Sequence, residues 1–183
     1  MADEGSFTWS YVLTFYDANG NAQAAYDPQT TAQVKVVARA HGSITTAEQR
    51  ATVGVFRQLD VRGLLPAETE ITIDGAANDT ADCAFAASDG SASRTYHFLG
   101  LGALTDVWQM KDQSVNPYPL GGTARWDVAI DATSDDSGGA HEVHYEATVL
   151  VTFNGTKHPT IEISEHYRYQ MDLETGQVQR IPA

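Results

Sequence analysis

Apolar and polar side chains alternate with a period of two along most of this chain. The first alternating segment carries its large apolar groups at Phe7, Trp9, Tyr11, Leu13 and Phe15. The same period recurs in 34–40, 124–130, 143–153 and 161–169. Successive side chains of a strand point to opposite faces of a sheet, so the pattern predicts strands with one buried and one exposed face. Because such one-sided strands are typical of antiparallel sheet, the sequence predicts an all-β, antiparallel protein.

Turn-forming sequences separate these segments. Asn-Gly and Asp-Gly tolerate positive φ and close tight hairpins. The turn signals are Asn19-Gly20, Asp74-Gly75, Asp89-Gly90, Ser137-Gly138-Gly139, Asn154-Gly155 and Thr175-Gly176. They predict roughly ten strands, near 7–16, 22–27, 32–41, 51–60, 69–74, 82–88, 93–99, 123–132, 141–153 and 160–173, with a short closing strand near 177–181. Helix-like spacing is confined to short stretches at 45–48 and 104–108.

Strands of this kind bury their apolar faces in two packed layers or in a closed barrel. The 183 residues predict a single domain over 1–183, and the first choice is an antiparallel β-sandwich with Trp9 and Trp126 in its core. The alternative is a closed up-and-down barrel of the lipocalin type, although the lipocalin Gly-x-Trp is absent because Trp9 follows Phe7-Thr8. Edge strands of either sheet layer would permit dimerisation by sheet extension, but the sequence identifies no particular edge.

Net charge and hydropathy argue against nucleic acid and membrane insertion, respectively. Eleven Lys and Arg oppose 24 Asp and Glu, a formal charge of −13, which would repel a phosphate backbone, so nucleic acid is not expected as a partner. No apolar run is long enough for a membrane-spanning helix, and membrane insertion is not expected. The acidic, lysine-poor composition, with an opening Met1-Ala2-Asp3-Glu4 that resembles a start trimmed of its leader, predicts an exported bacterial protein. Its location would be extracellular, cell-surface or periplasmic.

The sequence contains none of the common motifs of nucleophilic or cofactor-dependent catalysis. It has no Gly-x-Ser-x-Gly elbow and no phosphate-binding loop, and Gly100-Leu101-Gly102 lacks the third glycine of a dinucleotide fingerprint. Cys83 is the single cysteine, and its apolar neighbours predict an inert, buried thiol. These observations favour a binding or interaction module over an enzyme, and no cofactor is predicted apart from a divalent metal at the histidine cluster described next.

Histidine and glutamate side chains are concentrated near the C-terminus. Glu142, His144 and Glu146 share the polar face of one predicted strand, and His166 lies on the polar face of the next. Matching the apolar faces sets His144 opposite His166 and Glu142 opposite Arg168, while a shift of two residues pairs Glu146 with His166. Either register predicts imidazoles and carboxylates close enough to hold a divalent metal or to act as an acid–base pair. An exposed, charged sheet face explains the same residues.

Alternating oxygen donors mark a second candidate site. Asp17, Asn19 and Asn21 resemble the start of a calcium loop, but the positions that an EF-hand fills with Gly and Glu carry Ala22 and Pro28. A looser calcium site at these residues is one hypothesis, and a plain Asn-Gly hairpin is the other.

Aromatic residues in the connections between strands provide a third candidate site. Tyr118, between two prolines, and Trp108 are predicted to contact a ligand by stacking. The overall prediction is therefore a non-catalytic β-sandwich that binds a protein, a carbohydrate or a small apolar ligand. One alternative is a barrel that carries an apolar ligand in a cavity lined by Trp9, Tyr11, Phe15, Trp126 and Tyr145, and another is a metal-dependent enzyme or metal-binding protein centred on His144, Glu146 and His166.

Overall fold

A computed structural model describes residues 4–181 and contains eleven β-strands in one antiparallel sheet. The strands are β1 (Glu4–Asp17), β2 (Ala22–Gln23), β3 (Thr31–Thr45), β4 (Gln49–Arg62), β5 (Glu70–Ala86), β6 (Ser93–Met110), β7 (Gly121–Asp136), β8 (Gly139–Thr152), β9 (Thr160–Ile163), β10 (Tyr167–Met171) and β11 (Val178–Arg180). The predicted all-β antiparallel class is confirmed, and the sheet is consistent with a β-sandwich-like fold.

The sheet is a meander that remains open. From β3 to β11 each strand pairs with the next in sequence, and β1 pairs with β3 because β2 lies on its outer side. The two ends of the sheet, β2 and β11, do not pair with each other. The alternative prediction of a closed barrel is therefore wrong for the part of the chain that the structure describes. Within residues 4–181 there is also no helix of the length and apolar character needed to cross a membrane.

One predicted hairpin turn lies inside a strand. The sequence predicts a break at Asp74-Gly75, but β5 continues through both residues. The Asp74 carboxylate accepts a hydrogen bond from the Asp106 amide at 2.8 Å and pairs with Arg62, so it joins neighbouring strands instead of closing a turn. The local effect is a bulge, where the β5–β6 register shifts between Ile73 and Gly75.

Near the C-terminus the structure has a turn where the sequence predicts a continuous strand. The sequence predicts one strand over 160–173, whereas the structure has β9 and β10 joined by a turn at 164–166. Ser164 and Glu165 have φ of 48° and 59° there, values that non-glycine residues adopt uncommonly. Alternating apolar residues continue across this turn, and the period alone therefore does not reveal it.

The two faces of the sheet differ in chemistry. Residues directly opposite each other in an antiparallel pair lie on the same face. The face that carries Trp9, here called the apolar face, has one row across seven strands made of Phe7, Gly42, Val53, Ala81, Phe98, Ile130 and Tyr145. A second row on it consists of Tyr11, Ala38, Arg57, Ala77, Gly102, Trp126 and Val149. The polar face carries the Ser, Thr, His, Asp and Glu side chains that alternate with them, together with apolar side chains at Val12, Val37, Phe56, Leu99, Leu101 and Leu150.

Few side chains of the sheet are fully buried. Ala51, Ala77 and Val107 are the buried hydrophobic residues within the described strands, and Thr31 and Pro159 are also buried. The accessible surface is 11670 Å², whereas a compact monomer of this mass exposes roughly 8,600 Å². The excess of roughly 3,000 Å² is shared by the two faces of the sheet, because large side chains are exposed on both, such as Trp9 on the apolar face and Leu101 on the polar face.

Candidate functional site

A row of alternating carboxylates and imidazoles crosses the polar face. Asp82 on β5 lies opposite His97 on β6, His97 lies opposite Asp131 on β7, and Asp131 lies opposite His144 on β8. These four residues are called the Asp–His row below. Nδ1 of His97 is 2.6 Å from Oδ1 of Asp82, and Nδ1 of His144 is 2.5 Å from Oδ1 of Asp131. Each imidazole is thus hydrogen-bonded to a carboxylate on the preceding strand.

The surrounding charges favour the protonated imidazoles. The hydrogen bond with Asp131, then that with Glu146, raises the pKa of His144 above its ordinary value. Nε2 of His144 lies 3.2 Å from Oε1 of Glu146. The hydrogen bond with Asp82 raises the pKa of His97, although partial loss of hydration opposes it. Since all four side chains of the row are more than half exposed, the row can exchange protons with solvent and, when protonated, offsets part of the acidic charge.

The structure does not bring together all of the predicted metal ligands. The β8–β9 ladder places Val149 opposite Ile163, which is the register with the two-residue shift. It ends there, before His166 can reach a position opposite Glu146, and the predicted pairing of His144 with His166 is wrong. His166 Nδ1 bonds instead to the Ser164 carbonyl within its own turn.

The other predicted contact of this region is also different. Arg168 does not face Glu142 but pairs with Glu162, with Nε and Oε1 at 3.0 Å. Among residues 4–181 no group of three or more His, Cys, Asp or Glu side chains has a geometry that could hold a metal ion. Metal binding by Glu142, His144 and Glu146 stays a prediction without His166.

At the proposed calcium site, the carboxylate of Asp17 organises a turn. Its oxygens accept hydrogen bonds from the Asn19 amide at 2.8 Å, the Asn21 amide at 2.9 Å and Asn21 Nδ2 at 3.0 Å. The side-chain and backbone donations from Asn21 lower the pKa of Asp17, and Gly20 supplies the positive φ of 80°. The hairpin accounts for all three residues, and calcium binding by them stays a prediction.

Tyr118 and Trp108 have different environments. Tyr118 is half-buried, its hydroxyl donates to Glu174, and its amide bonds to Asn116 Oδ1 at 2.9 Å. The carboxylate of Glu174 raises the pKa of the Tyr118 hydroxyl. Trp108 pairs with Gly121 at the end of β6, and a Cβ at Gly121 would come within 2.4 Å of the indole Nε1. The Trp108 indole therefore packs against Gly121. Tyr118 links the connection between β6 and β7 to the turn that contains Glu174.

The apolar face is the larger feature that the sequence did not predict as a surface. Trp9 was expected in the core, but it is 67% exposed, and it stacks on Tyr11 with ring centroids 5.6 Å apart. Phe7 and Tyr145, at opposite ends of one row, are 66% and 53% exposed. The half-buried part of the face centres on Trp126. The Arg57 guanidinium lies over its ring, with Cζ 5.9 Å from the ring centroid.

One ion pair interrupts the apolar face. Arg57 and Asp79 lie on β4 and β5 and form a bidentate contact, with Nη2 and Oδ2 at 2.8 Å. Their net charge is zero, so the centre of the face carries polar groups without a charge excess. A hollow of about 160 Å³ lies beside them, bounded by Leu59, Leu104 and Trp126.

No protein-family model matches this chain, and neither a curated protein nor a solved structure is significantly similar to it.

Proposed function

We propose that this protein is a binding module that engages another polypeptide through the apolar face of its sheet. The observation that carries the proposal is the extent of this face, which crosses seven long strands, is interrupted at its centre by the neutral Arg57–Asp79 ion pair, and exposes aromatic side chains such as Trp9 and Tyr145 near its two ends. Soluble monomers rarely expose contiguous apolar patches larger than a few hundred Å², and larger patches mark interaction sites.

The size of the open surface supports a protein partner over a small ligand. The excess accessible area of roughly 3,000 Å² is shared by two faces, and half of it, about 1,500 Å², still exceeds the ~800 Å² that each partner of a standard protein interface contributes. By contrast, pockets for small molecules enclose about 300–1,000 Å³, and the hollow on this face measures about 160 Å³. A small apolar ligand is therefore the weaker hypothesis for the apolar face, and a ligand carrier would use the open hollow of about 510 Å³ on the polar face beside Leu99, Leu101 and Glu146.

Charge at one end of the sheet supports a basic partner. The strand ends and turns beside the exposed aromatic groups carry six acidic side chains, at Glu4, Glu48, Asp89, Asp135, Asp136 and Glu142. Arg50 and Arg94 are the basic side chains at the same end. We therefore expect the partner to present an apolar surface bordered by Lys or Arg, because complementary charge at a rim speeds encounter and selects orientation. The same acidic surface agrees with the expected extracellular or periplasmic location, which stays a prediction.

The test uses two synthetic amphipathic peptides with the same apolar residues, one with lysines and one with glutamates at the remaining positions. The lysine peptide should bind, and the glutamate peptide should bind at least about tenfold more weakly, a difference of about 1.4 kcal/mol. Trp9→Ser and Tyr145→Ser should each weaken binding of the lysine peptide. Leu101→Ser removes an exposed, though smaller, apolar group from the polar face and should leave binding unchanged.

Two results would contradict the proposal. One is binding that responds to Leu101→Ser as strongly as to Trp9→Ser. The other is the absence of peptide binding together with stoichiometric uptake of a long-chain fatty acid, measured by calorimetry, which would favour the ligand carrier.

A further inference from the structure

The outer edge of β1 is open over most of its length. On its inner edge β1 pairs with β3 from Glu4 to Asp17, whereas on its outer edge β2 pairs only with Phe15 and Tyr16. Among the described residues nothing pairs with the outer edge of 4–14. A strand edge of this length is a template for another strand, because its backbone donors and acceptors are directed outward in a row.

The ladder geometry identifies which backbone groups are free. Asp17 donates its amide to Asn21 on the β2 side and accepts there from Gly20. Because outward-facing residues alternate along an antiparallel edge, the amides and carbonyls of Phe7, Trp9, Tyr11 and Leu13 also point away from β3. The amides of Thr8, Ser10 and Val12 point toward β3.

Natural edge strands carry devices against pairing, such as charged side chains, proline or bulges. Residues 5–16 of β1 contain no charged residue and no proline. The other long open edge of the sheet is β8 before its ladder with β9 begins at Val149. That edge carries Glu142, His144 and Glu146, and is protected in the usual way. β1 is the unprotected edge.

We infer that β1 is a self-association edge, which pairs antiparallel with β1 of a second copy around a two-fold axis. Such a pair sets odd-numbered residues opposite odd-numbered residues of the second copy. The aromatic side chains of the two β1 strands then lie beside each other on one face, and their Ser and Thr side chains lie beside each other on the other face. Hydroxyl pairing of this kind already occurs on the inner edge, where Ser6 Oγ and Ser43 Oγ are 2.9 Å apart.

Among contacts between copies of this chain, charge favours the two-fold arrangement through β1. Two molecules with a formal charge of −13 each repel each other least where the contact surface is uncharged, and β1 is such a surface. A head-to-tail contact of β1 with the β8 edge would place Glu142 and Glu146 in the new ladder and would extend into filaments, whereas the two-fold contact closes after two copies. The two apolar faces then lie on one side of a continuous sheet.

This inference goes beyond the proposed function, because it concerns the edge and not the occupant of the face. The first measurement is molar mass by sedimentation and light scattering over a dilution series. The expected result is a reversible dimer that dissociates on dilution. A monomer at every concentration, or open filaments, would overturn the inference, and a monomer that still binds the lysine peptide would leave the proposed function standing.

Amide hydrogen exchange distinguishes this dimer from any other. In the dimer the outward amides of Phe7, Trp9, Tyr11 and Leu13 should become protected by at least about tenfold relative to the diluted monomer. Those of Thr8, Ser10 and Val12 should be protected in both states, because β3 already pairs with them. A dimer in which the odd-numbered amides exchange as fast as in the monomer contradicts pairing through β1.

A matched pair of variants tests the same backbone group. Tyr11→Pro removes an outward amide that the β1–β3 ladder does not use, and should shift the dimer toward monomer by at least about tenfold in Kd. Tyr11→Val keeps the amide and a strand-forming side chain and should dimerise more strongly than Tyr11→Pro. Circular dichroism confirms that both variants are folded, and equal dimerisation of the two would overturn the inference.

Discussion

The carboxylate of Asp131 on β7 holds the imidazole of His144 on β8, with Oδ1 and Nδ1 2.5 Å apart. Asp131 also lies opposite His97 on its other side. Two histidines that are separated by 47 positions in sequence, 144 − 97, therefore share one acidic neighbour. This arrangement makes the protonation of the polar face a property of the folded sheet.

The first prediction concerns stability against pH. The pKa of His97 and of His144 is raised in the folded protein, so folding is favoured when the imidazoles are protonated. The stabilisation is fully present below the unfolded-state pKa of about 6.5 and is lost as the pH rises through the folded-state values. Thermal unfolding should show Tm falling over this range.

The variant His97→Gln with His144→Gln should flatten this part of the pH profile. Glu142 lies on the same strand as His144 but forms no ion pair among the described residues. Glu142→Gln should therefore retain the fall of Tm with pH. Histidine proton resonances followed by NMR give the two pKa values directly, and Asp131→Asn should lower that of His144. Titration of His144 at its ordinary value in the wild type would contradict the prediction.

The second prediction concerns the ion pair on the apolar face. Arg57→Met leaves the half-buried Asp79 carboxylate without its bidentate partner, and should cost roughly 1–3 kcal/mol in the free energy of unfolding. Replacing both residues, as Arg57→Met with Asp79→Leu, should cost less than the sum of the single changes. Urea denaturation of the four proteins in this cycle measures the coupling. Additive single effects would mean that the pair does not stabilise the sheet.

The third prediction concerns the contact beneath Trp126. A Cβ at Gly102 would lie 2.9 Å from Trp126 Cζ2 and 3.0 Å from the Ala77 Cβ. Gly102→Val should therefore displace the indole and destabilise the fold by about 1–3 kcal/mol, with a change in tryptophan fluorescence. At Gly5 a Cβ meets only the Ser43 carbonyl at 3.6 Å, and Gly5→Ala should have little effect. An unchanged emission spectrum in Gly102→Val would show that the indole does not cover this glycine.

The fourth prediction concerns acid. Loss of hydration raises the pKa of Asp172, but the amides of Thr175 and Glu174 and the ammonium of Lys157 outweigh it and hold the pKa at about 2. The stabilisation is present above the ordinary value of 3.8 and is lost as the pH falls through about 2. Asp172→Asn keeps the acceptor of the turn but not the charge, and should lessen the loss of stability in acid. Glu165→Gln, at an exposed carboxylate in the turn before β10, serves as the control in acid titrations followed by circular dichroism.

Part of the Asp–His row could have been found in the sequence. A hairpin closed at Asp89-Gly90 places Asp82 opposite His97, and one centred on Ser137-Gly138 places Asp131 opposite His144. Both turns are visible in the sequence, and extending their registers along the paired strands reaches these polar pairs. The third contact, His97 with Asp131, depends on the long connection 111–120 between β6 and β7, which no local rule specifies.

The exposure of the aromatic residues could not have been found in the same way. Alternation shows that Trp9 and Tyr145 share an apolar face, but not whether another layer covers it. Similarly, Asn154-Gly155 predicts a tight turn, whereas β8 and β9 are joined through 153–159. That longer connection moves the register by two residues, and the turn at 164–166 then takes His166 off the strand face. Element type follows from local patterns, while register and burial depend on the whole sheet.

The meander also determines how this chain can reach its native state. Nearly every ladder joins strands that are neighbours in sequence, which keeps contact order low for an all-β protein and shortens the loops that must close. Each new hairpin can dock on those already formed as the polypeptide leaves the ribosome. Assembly can therefore proceed vectorially, with β1 in place long before the last strands are synthesised.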